Sequence, residues 1–273
     1  MLVGWTGSER IDAADAQRGA AYFCPSQHCG GALILKKGRK VAAHFAHKPP
    51  FECHWAHGET QAHMLAKSMF CNALRKRGLK AEIEHSVGFL QAVDRRADVM
   101  VWSPSGAMVA IELQHTNISV ADIEARAFSY AANGVAQIWV PVASRDFWAK
   151  AKPVGDGVWK IEKYNTHEFE KWISGLNMGQ EYWIFDPETA RVLIANMKEH
   201  RLFREGSRHY HEADEVFNDS YYYRSKRFRE LTVKGPFELD RFRIKLVERK
   251  AFARGPYRWP QGWIAQLVLD QSS

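Results

Sequence analysis

Arg96-Ala97-Asp98-Val99-Met100-Val101-Trp102, then Ser103-Pro104-Ser105-Gly106, then Ala107-Met108-Val109-Ala110-Ile111-Glu112-Leu113-Gln114 is the stretch that decides the fold. Two β-rich apolar runs joined by a Pro/Ser/Gly cluster predict an antiparallel hairpin. With Pro104, Ser105 and Gly106 as a three-residue loop and the glycine left-handed, Ser103 pairs with Ala107 and Asp98 falls opposite Glu112. Side chains alternate along a strand, so Asp98, Glu112 and Gln114 are expected on one face, with Val99, Val101, Val109, Ile111 and Leu113 on the other. Apart from the acids both faces are apolar, as central strands covered on both sides require.

Two carboxylates meeting in such a sheet repel and are poorly solvated, so a cation or a proton has to join them. Oxygen donors suit Mg²⁺ or Mn²⁺, held by Asp98 and Glu112 with the Leu113 carbonyl as a third ligand, and completed by waters and phosphate oxygens. An ion there can polarise a phosphodiester and activate a water. The alternative is structural: Glu112 at a sheet end, paired with Arg95 or Arg96.

Upstream, apolar residues from Met64 to Leu74 recur at helical spacing between Gly58 and Arg77, and Gly78 ends the helix. Glu59, His63 and Lys67 fall at i, i+4 and i+8, so one face presents an acid, an imidazole and an amine; this is a solvated face or part of a site. Residues 81–89 form a strand beside the hairpin. Downstream, Ser119 with Asp122 makes a capping box, Ile118 with Ile123 a hydrophobic staple, and Asn133-Gly134 a stop. Arg126 and Tyr130, four apart on that helix, either contact a nucleic-acid backbone or brace the sheet. Residues 136–142 form a further strand.

Nearer the N-terminus, Cys24-Pro25-Ser26-Gln27-His28-Cys29 is followed by Gly30-Gly31, an expected hairpin of 32–36 with 39–43, His44-Phe45-Ala46-His47, and then Cys53, His54 and His57. Zinc needs four ligands, and Cys24, Cys29, His47 and Cys53 form the expected set, with His44 or His57 as substitutes. Four protein ligands leave no open position, so the role is structural. Cys71, alone in a helical pattern, reads as a small buried hydrophobe.

Asp98 followed by Glu112-x-Gln114 on the next strand, with Glu59-x-x-x-His63-x-x-x-Lys67 on an upstream helix, resembles the CoiA-like competence proteins, which belong to the PD-(D/E)XK nuclease superfamily. The segment Gln114-His115-Thr116-Asn117-Ile118-Ser119, the pair Arg126 and Tyr130, the strand Gln137-Ile138-Trp139-Val140, and a cysteine pair followed by His-Phe-Ala-His extend the likeness over roughly residues 1 to 145. The resemblance implies an α/β fold with a restriction-endonuclease-like core of order αβββαβ, and a catalytic set of Glu59, Asp98, Glu112 and Gln114. In it Glu59 completes the metal site and Gln114 orients water or phosphate, where most of the superfamily has a lysine. His63, Lys67, Arg126 and Tyr130 are then the residues expected to touch nucleic acid.

The organisation expected is a zinc-finger-like module at 1–57, the nuclease core at 58–150 and a basic, aromatic α+β region at 151–273. The chain carries 38 Lys/Arg against 31 Asp/Glu, and residues 191–260 alone hold 17 against 10, so the basic excess is C-terminal and points to a polyanion. Residues 200–258 interleave arginines with tyrosines, phenylalanines and Trp259, a composition of single-strand contacts or of ordinary β-rich surfaces. In that region a strand at 158–164, a capped helix at 166–176 and a hairpin at 181–197 are expected. No uninterrupted apolar run spans a bilayer and the first residues do not read as a signal peptide, so a cytoplasmic protein without membrane contact is expected. The function expected is a Mg²⁺- or Mn²⁺-dependent DNA endonuclease in DNA uptake, recombination or defence. Its partners are DNA, with a further copy of itself or recombination and defence proteins beside it. The rival is an inactive nucleic-acid-binding accessory protein that retains the nuclease fold.

Overall fold

The structure, a computed structural model, describes residues 1–26, 28–38, 42–50, 53, 59–87, 95–179, 181–211 and 214–270. The first body is a five-stranded sheet of order β2-β1-β3-β4-β5, with β1 Val3–Trp5, β2 Arg10–Asp12, β3 Tyr22–Phe23, β4 Ala32–Lys36 and β5 His44–His47. Its small core holds Tyr22, Cys24, Leu33 and Phe45. The partner of β4 is His44–His47, with Lys36 opposite His44; of the segment 39–43 expected to pair with it, residues 39–41 lie outside the described residues. That places the two histidines on a strand, where period two sends His44 and Ala46 to one face and Phe45 and His47 to the other.

Helix α1 (Gln61–Lys76) follows, capped by the Thr60 side chain accepting from the His63 amide. Glu59 therefore precedes the helix, where the sequence spacing had placed it on the helical face. Then come β6 Lys80–Val87, β7 Arg95–Trp102, β8 Met108–Gln114, helix α2 (Val120–Ala132) and β9 Ala136–Pro141. The Ser119 cap of α2 accepts from the Asp122 amide, as its sequence requires. Gly106 turns at φ +85°, Ser103 donates its amide to the Ala107 carbonyl, and Val99 pairs with Ile111, so the hairpin has the expected loop and register. Strands β6, β7 and β8 are antiparallel, and β9 returns parallel to β8 after the α2 crossover.

Helix α1 covers one face of this sheet through Met64, Phe70 and Leu74 against Val99, Val101, Ile111 and Leu113. Tyr130 of α2 packs on the other face against Met100 and Ala110. The chain continues through α3 Phe147–Lys150, β10 Lys152–Gly155, β11 Val158–Asn165, α4 Glu168–Leu176, β12 Tyr182–Asp186, β13 Arg191–Arg204, β14 Ser207–His211, β15 Asp214–Asn218, β16 Tyr221–Phe237, β17 Phe242–Arg249, β18 Phe252–Arg254, β19 Tyr257–Trp259 and β20 Gly262–Leu269. The expected strand, capped helix and hairpin of 158–197 are β11, α4 and β12 with β13.

A second five-stranded sheet has order β10-β11-β16-β13-β12, and the antiparallel pair β17–β20 joins the sheet of β6 to β9 through β20 and β9, giving β17-β20-β9-β8-β7-β6. The main sheet thus crosses the boundary expected at residue 150. Pairing between residues 137 and 264 is non-local and leaves no trace in local periodicity.

Candidate active site and metal centre

On β6, Glu84 sits at φ +53°, a left-handed conformation that costs a non-glycine residue about 1 kcal/mol or more. It falls between the pairs Ile83–Val99 and His85–Ala97, facing Asp98 across the ladder. Alternation breaks there: Ala97 packs with Met100 on the α2 side, and the Asp98 carboxylate meets His63 and Lys67 of α1. Glu82 and Glu84 are two apart and read as one exposed face, yet Glu84 is buried.

Lys67 is the centre of the cluster. Its side chain is 0% exposed, and its Nζ lies 2.9 Å from Glu84 Oε1 and 3.3 Å from Asp98 Oδ1, while also donating to Glu59 Oε1. Asp98 Oδ2 accepts from His63 Nε2 at 3.1 Å and from the Leu113 amide at 2.9 Å. His63 Nδ1 lies 3.6 Å from Glu59 Oε1. Glu84 Oε2 takes the Leu2 amide at 2.9 Å, and Arg96 approaches Glu84 at 3.7 Å and Glu59 at 3.9 Å. Burial opposes ionisation of Asp98, yet His63 and Lys67 hold it well below the usual carboxylate range; Lys67 and Arg96 do the same for Glu84. Burial would lower Lys67 and His63, and the surrounding carboxylates raise both.

Glu112 is directed elsewhere. Arg126 Nη2 reaches its Oε2 at 2.6 Å and the Tyr130 hydroxyl donates to its Oε1 at 2.5 Å, both from α2. Burial, reinforced by Asp98 and opposed by Arg126 and Tyr130, pushes its carboxyl up to about 7. The expectation that Asp98 and Glu112 share one face is therefore corrected: the register holds, but alternation breaks at Asp98, opposite Glu84, and Asp98 faces α1. The ion-pair partner of Glu112 is Arg126, while Arg96, one expected alternative, approaches Glu84 and Glu59; the side chain of Arg95, the other, lies outside the described residues.

Other expected site residues are also redistributed. The Gln114 amide donates to the Thr116 carbonyl two residues on. Leu113 offers its N–H to Asp98. Lys67 and Tyr130 are fully buried, so neither is presented to a phosphate, and Arg126 is spent on Glu112. Glu59, His63 and Asp98 do come together, with one ligand atom from each lying within 4.8 Å of the others. Glu84 is not singled out by the sequence, and Arg96 only as a partner of Glu112; a buried lysine in need of carboxylates is the signal that finds Glu84. A cleft of about 940 Å³ opens beside the cluster, lined by Thr60 and Gln61 before and at the start of α1, by His115 and Asn117, and by Arg145 and His167.

In the N-terminal body, Cys24, Cys29, His47 and Cys53 bring ligand atoms within 4.8 Å of one another, with Cys24 Sγ 4.0 Å from Cys53 Sγ and Cys29 Sγ 3.3 Å from His47 Nε2. This is the set expected. Three sulfurs and a ring nitrogen at these separations are a donor set suited to tetrahedral Zn²⁺. His44, one substitute, turns its Nδ1 to the Ala42 carbonyl, and His57 lies outside the described residues. Cys71 is buried in α1, apart from the cluster.

The protein is thus mixed α/β, with a buried acid cluster at its main sheet and a Cys/His cluster before it. Residues 59–200 match the family described as "Competence protein CoiA, nuclease-like domain", and residues 6–56 match "Competence protein CoiA, N-terminal domain". The chain belongs to the CoiA competence-protein family. No curated protein and no solved structure matches it. Among the described residues no helix is long and apolar enough to cross a membrane.

Proposed function

We propose that the chain is a divalent-metal-dependent DNA endonuclease with a PD-(D/E)XK-type core, acting on DNA in uptake, recombination or defence. The observation that carries this reading is the convergence of Glu59, His63 and Asp98 around a buried lysine, in a domain whose family is nuclease-like. Two carboxylates and an imidazole fit Mn²⁺ at least as well as Mg²⁺, because imidazole suits transition metals better than the hard Mg²⁺. Asp98 and Glu59 would hold the ion, with His63 as a third donor. When bound, the ion supplies Lewis acidity toward a phosphodiester oxygen and a lowered pKa for a water.

The chain's own groups have separable tasks. Lys67 holds the acids together and places a positive charge 3.3 Å from Asp98. Arg126 and Tyr130 hold Glu112 on the α2 side of the sheet, turned away from the His63 and Lys67 that meet Asp98. His115, half-buried in the wall of the cleft, is kept toward its neutral form by burial and by His63, so it can accept a proton from water or pass one on. The Cys24, Cys29, His47 and Cys53 cluster would hold a structural zinc.

The test is incubation of purified protein with linear, single-stranded, nicked and branched DNAs in Mg²⁺, Mn²⁺ or chelator. Cleavage in Mn²⁺ or Mg²⁺ that chelator stops is expected. Binding without cleavage under every condition would favour the inactive accessory protein.

A further inference from the structure

Beyond residue 195 on β13 and before residue 228 on β16, these two strands run on without a third among the described residues: β12 last pairs at Ala195 and β11 at Phe228. Past a bulge they form the ribbon Arg201–Arg224, Leu202–Tyr223, Phe203–Tyr222 and Arg204–Tyr221, about 13 Å long, and β14–β15 prolongs it. Period two puts Phe203 and Tyr222 on one face and Tyr221 and Tyr223 on the other. Their rings lie 5.0 Å and 6.0 Å apart, and all four are exposed, Tyr222 at 70%. Residues 198–204 and 221–229 carry seven Lys or Arg against one acid, Glu199, which Arg224 pairs.

We infer that this arm is a grip for an unpaired polynucleotide strand, whose bases stack on the Phe203–Tyr222 and Tyr221–Tyr223 pairs while Arg201, Arg204 and Arg224 meet its phosphates. The charge selects a polyanion. The aromatic rings select one whose bases are unstacked, because a duplex keeps its π-faces inside. A protein partner seated on one face would leave the other aromatic pair in water, whereas a flexible strand can use both. That the strand is DNA rests on the proposed function.

The test is fluorescence anisotropy of the full chain, with its zinc, in buffer without Mg²⁺ and Mn²⁺. The probes are labelled oligo(dT), oligo(U) and duplex DNA of equal length. The variant Phe203→Ala/Tyr222→Ala, and separately Tyr221→Ala/Tyr223→Ala, should weaken oligo(dT) binding by at least about fivefold per base stack lost. Duplex affinity and melting temperature should not change. Arg201→Gln/Arg204→Gln/Arg224→Gln should reduce the slope of log affinity against log salt by about two. Unchanged oligo(dT) affinity, or an equal loss for duplex, would overturn the inference, and so would a change only in the oligomeric state read by light scattering. Tighter binding of oligo(U) would overturn its DNA assignment. Cleavage is not read, so a chain that binds through the arm but never cuts refutes only the nuclease.

Discussion

Replacing Lys67 by methionine tests what holds the acid cluster together. The ammonium is wholly buried and lies within 3.3 Å of oxygens on Glu84 and Asp98, besides donating to Glu59. At an effective dielectric constant of about 20, each of the two longer contacts is worth roughly 5 kcal/mol of attraction. Most of that offsets desolvation, and removing one partner of a buried ion pair costs about 3–5 kcal/mol. Asp98 keeps His63 and the Leu113 amide, and Glu84 keeps the Leu2 amide, so the lower end of that range, about 3 kcal/mol, is expected. For a chain of this size that lowers the metal-free melting temperature by about 6–12 °C. Without the ammonium the carboxylates also become a better cation site, so Mn²⁺ should raise the melting temperature of Lys67→Met more than that of the wild type. An ion at a hundred times its Kd restores about 2.7 kcal/mol. Scanning fluorimetry of both proteins, metal-free and in a Mn²⁺ series, reads all of this. A metal-free variant that melts with the wild type would refute the reasoning, and so would equal responses to Mn²⁺.

Elemental analysis should find about one zinc per chain, and Cys29→Ser should lose it together with folding stability; a zinc-free, fully stable wild type would dismiss the module. Glu112 is raised to about 7 in the fold, so its protonated form contributes stability that is complete below the ordinary carboxylate value and is lost as pH rises through about 7. Metal-free chemical denaturation from pH 5 to 8 should show that loss, and Glu112→Gln should flatten it. Tyr130→Phe removes the hydroxyl donor to Glu112 and should cost about 1–3 kcal/mol by the same measurement; a neutral result would mean that water replaces it.

The fold was readable wherever local chemistry dictates it. Pro104-Ser105-Gly106 sets the loop, the loop sets the register, and Ser119 with Asp122 starts α2 at the expected residue. The Cys/His cluster was likewise legible, since thiols and imidazoles packed this densely in sequence have few other uses. What stayed hidden depends on tertiary context. The positive φ of Glu84 and the break in alternation at Asp98, which turns it from Glu112 to α1, accompany contacts with a buried lysine from another element. Lys67, at i+8 from Glu59, has the spacing of a solvated helix face; the carboxylates of β6 and β7, with Glu59, make its burial tolerable. The joining of β17–β20 to the main sheet is a pairing across more than a hundred residues, which no periodicity records.

The central claim is that the Glu59, His63 and Asp98 cluster is where a cation serves phosphodiester cleavage. The measurement is the DNA cleavage rate in Mn²⁺ of the wild type beside Asp98→Asn, at matched zinc content and at a temperature where circular dichroism shows both folded. The account predicts chelator-sensitive cutting by the wild type and none by Asp98→Asn, with DNA affinity retained. Undiminished cutting by folded Asp98→Asn would contradict it.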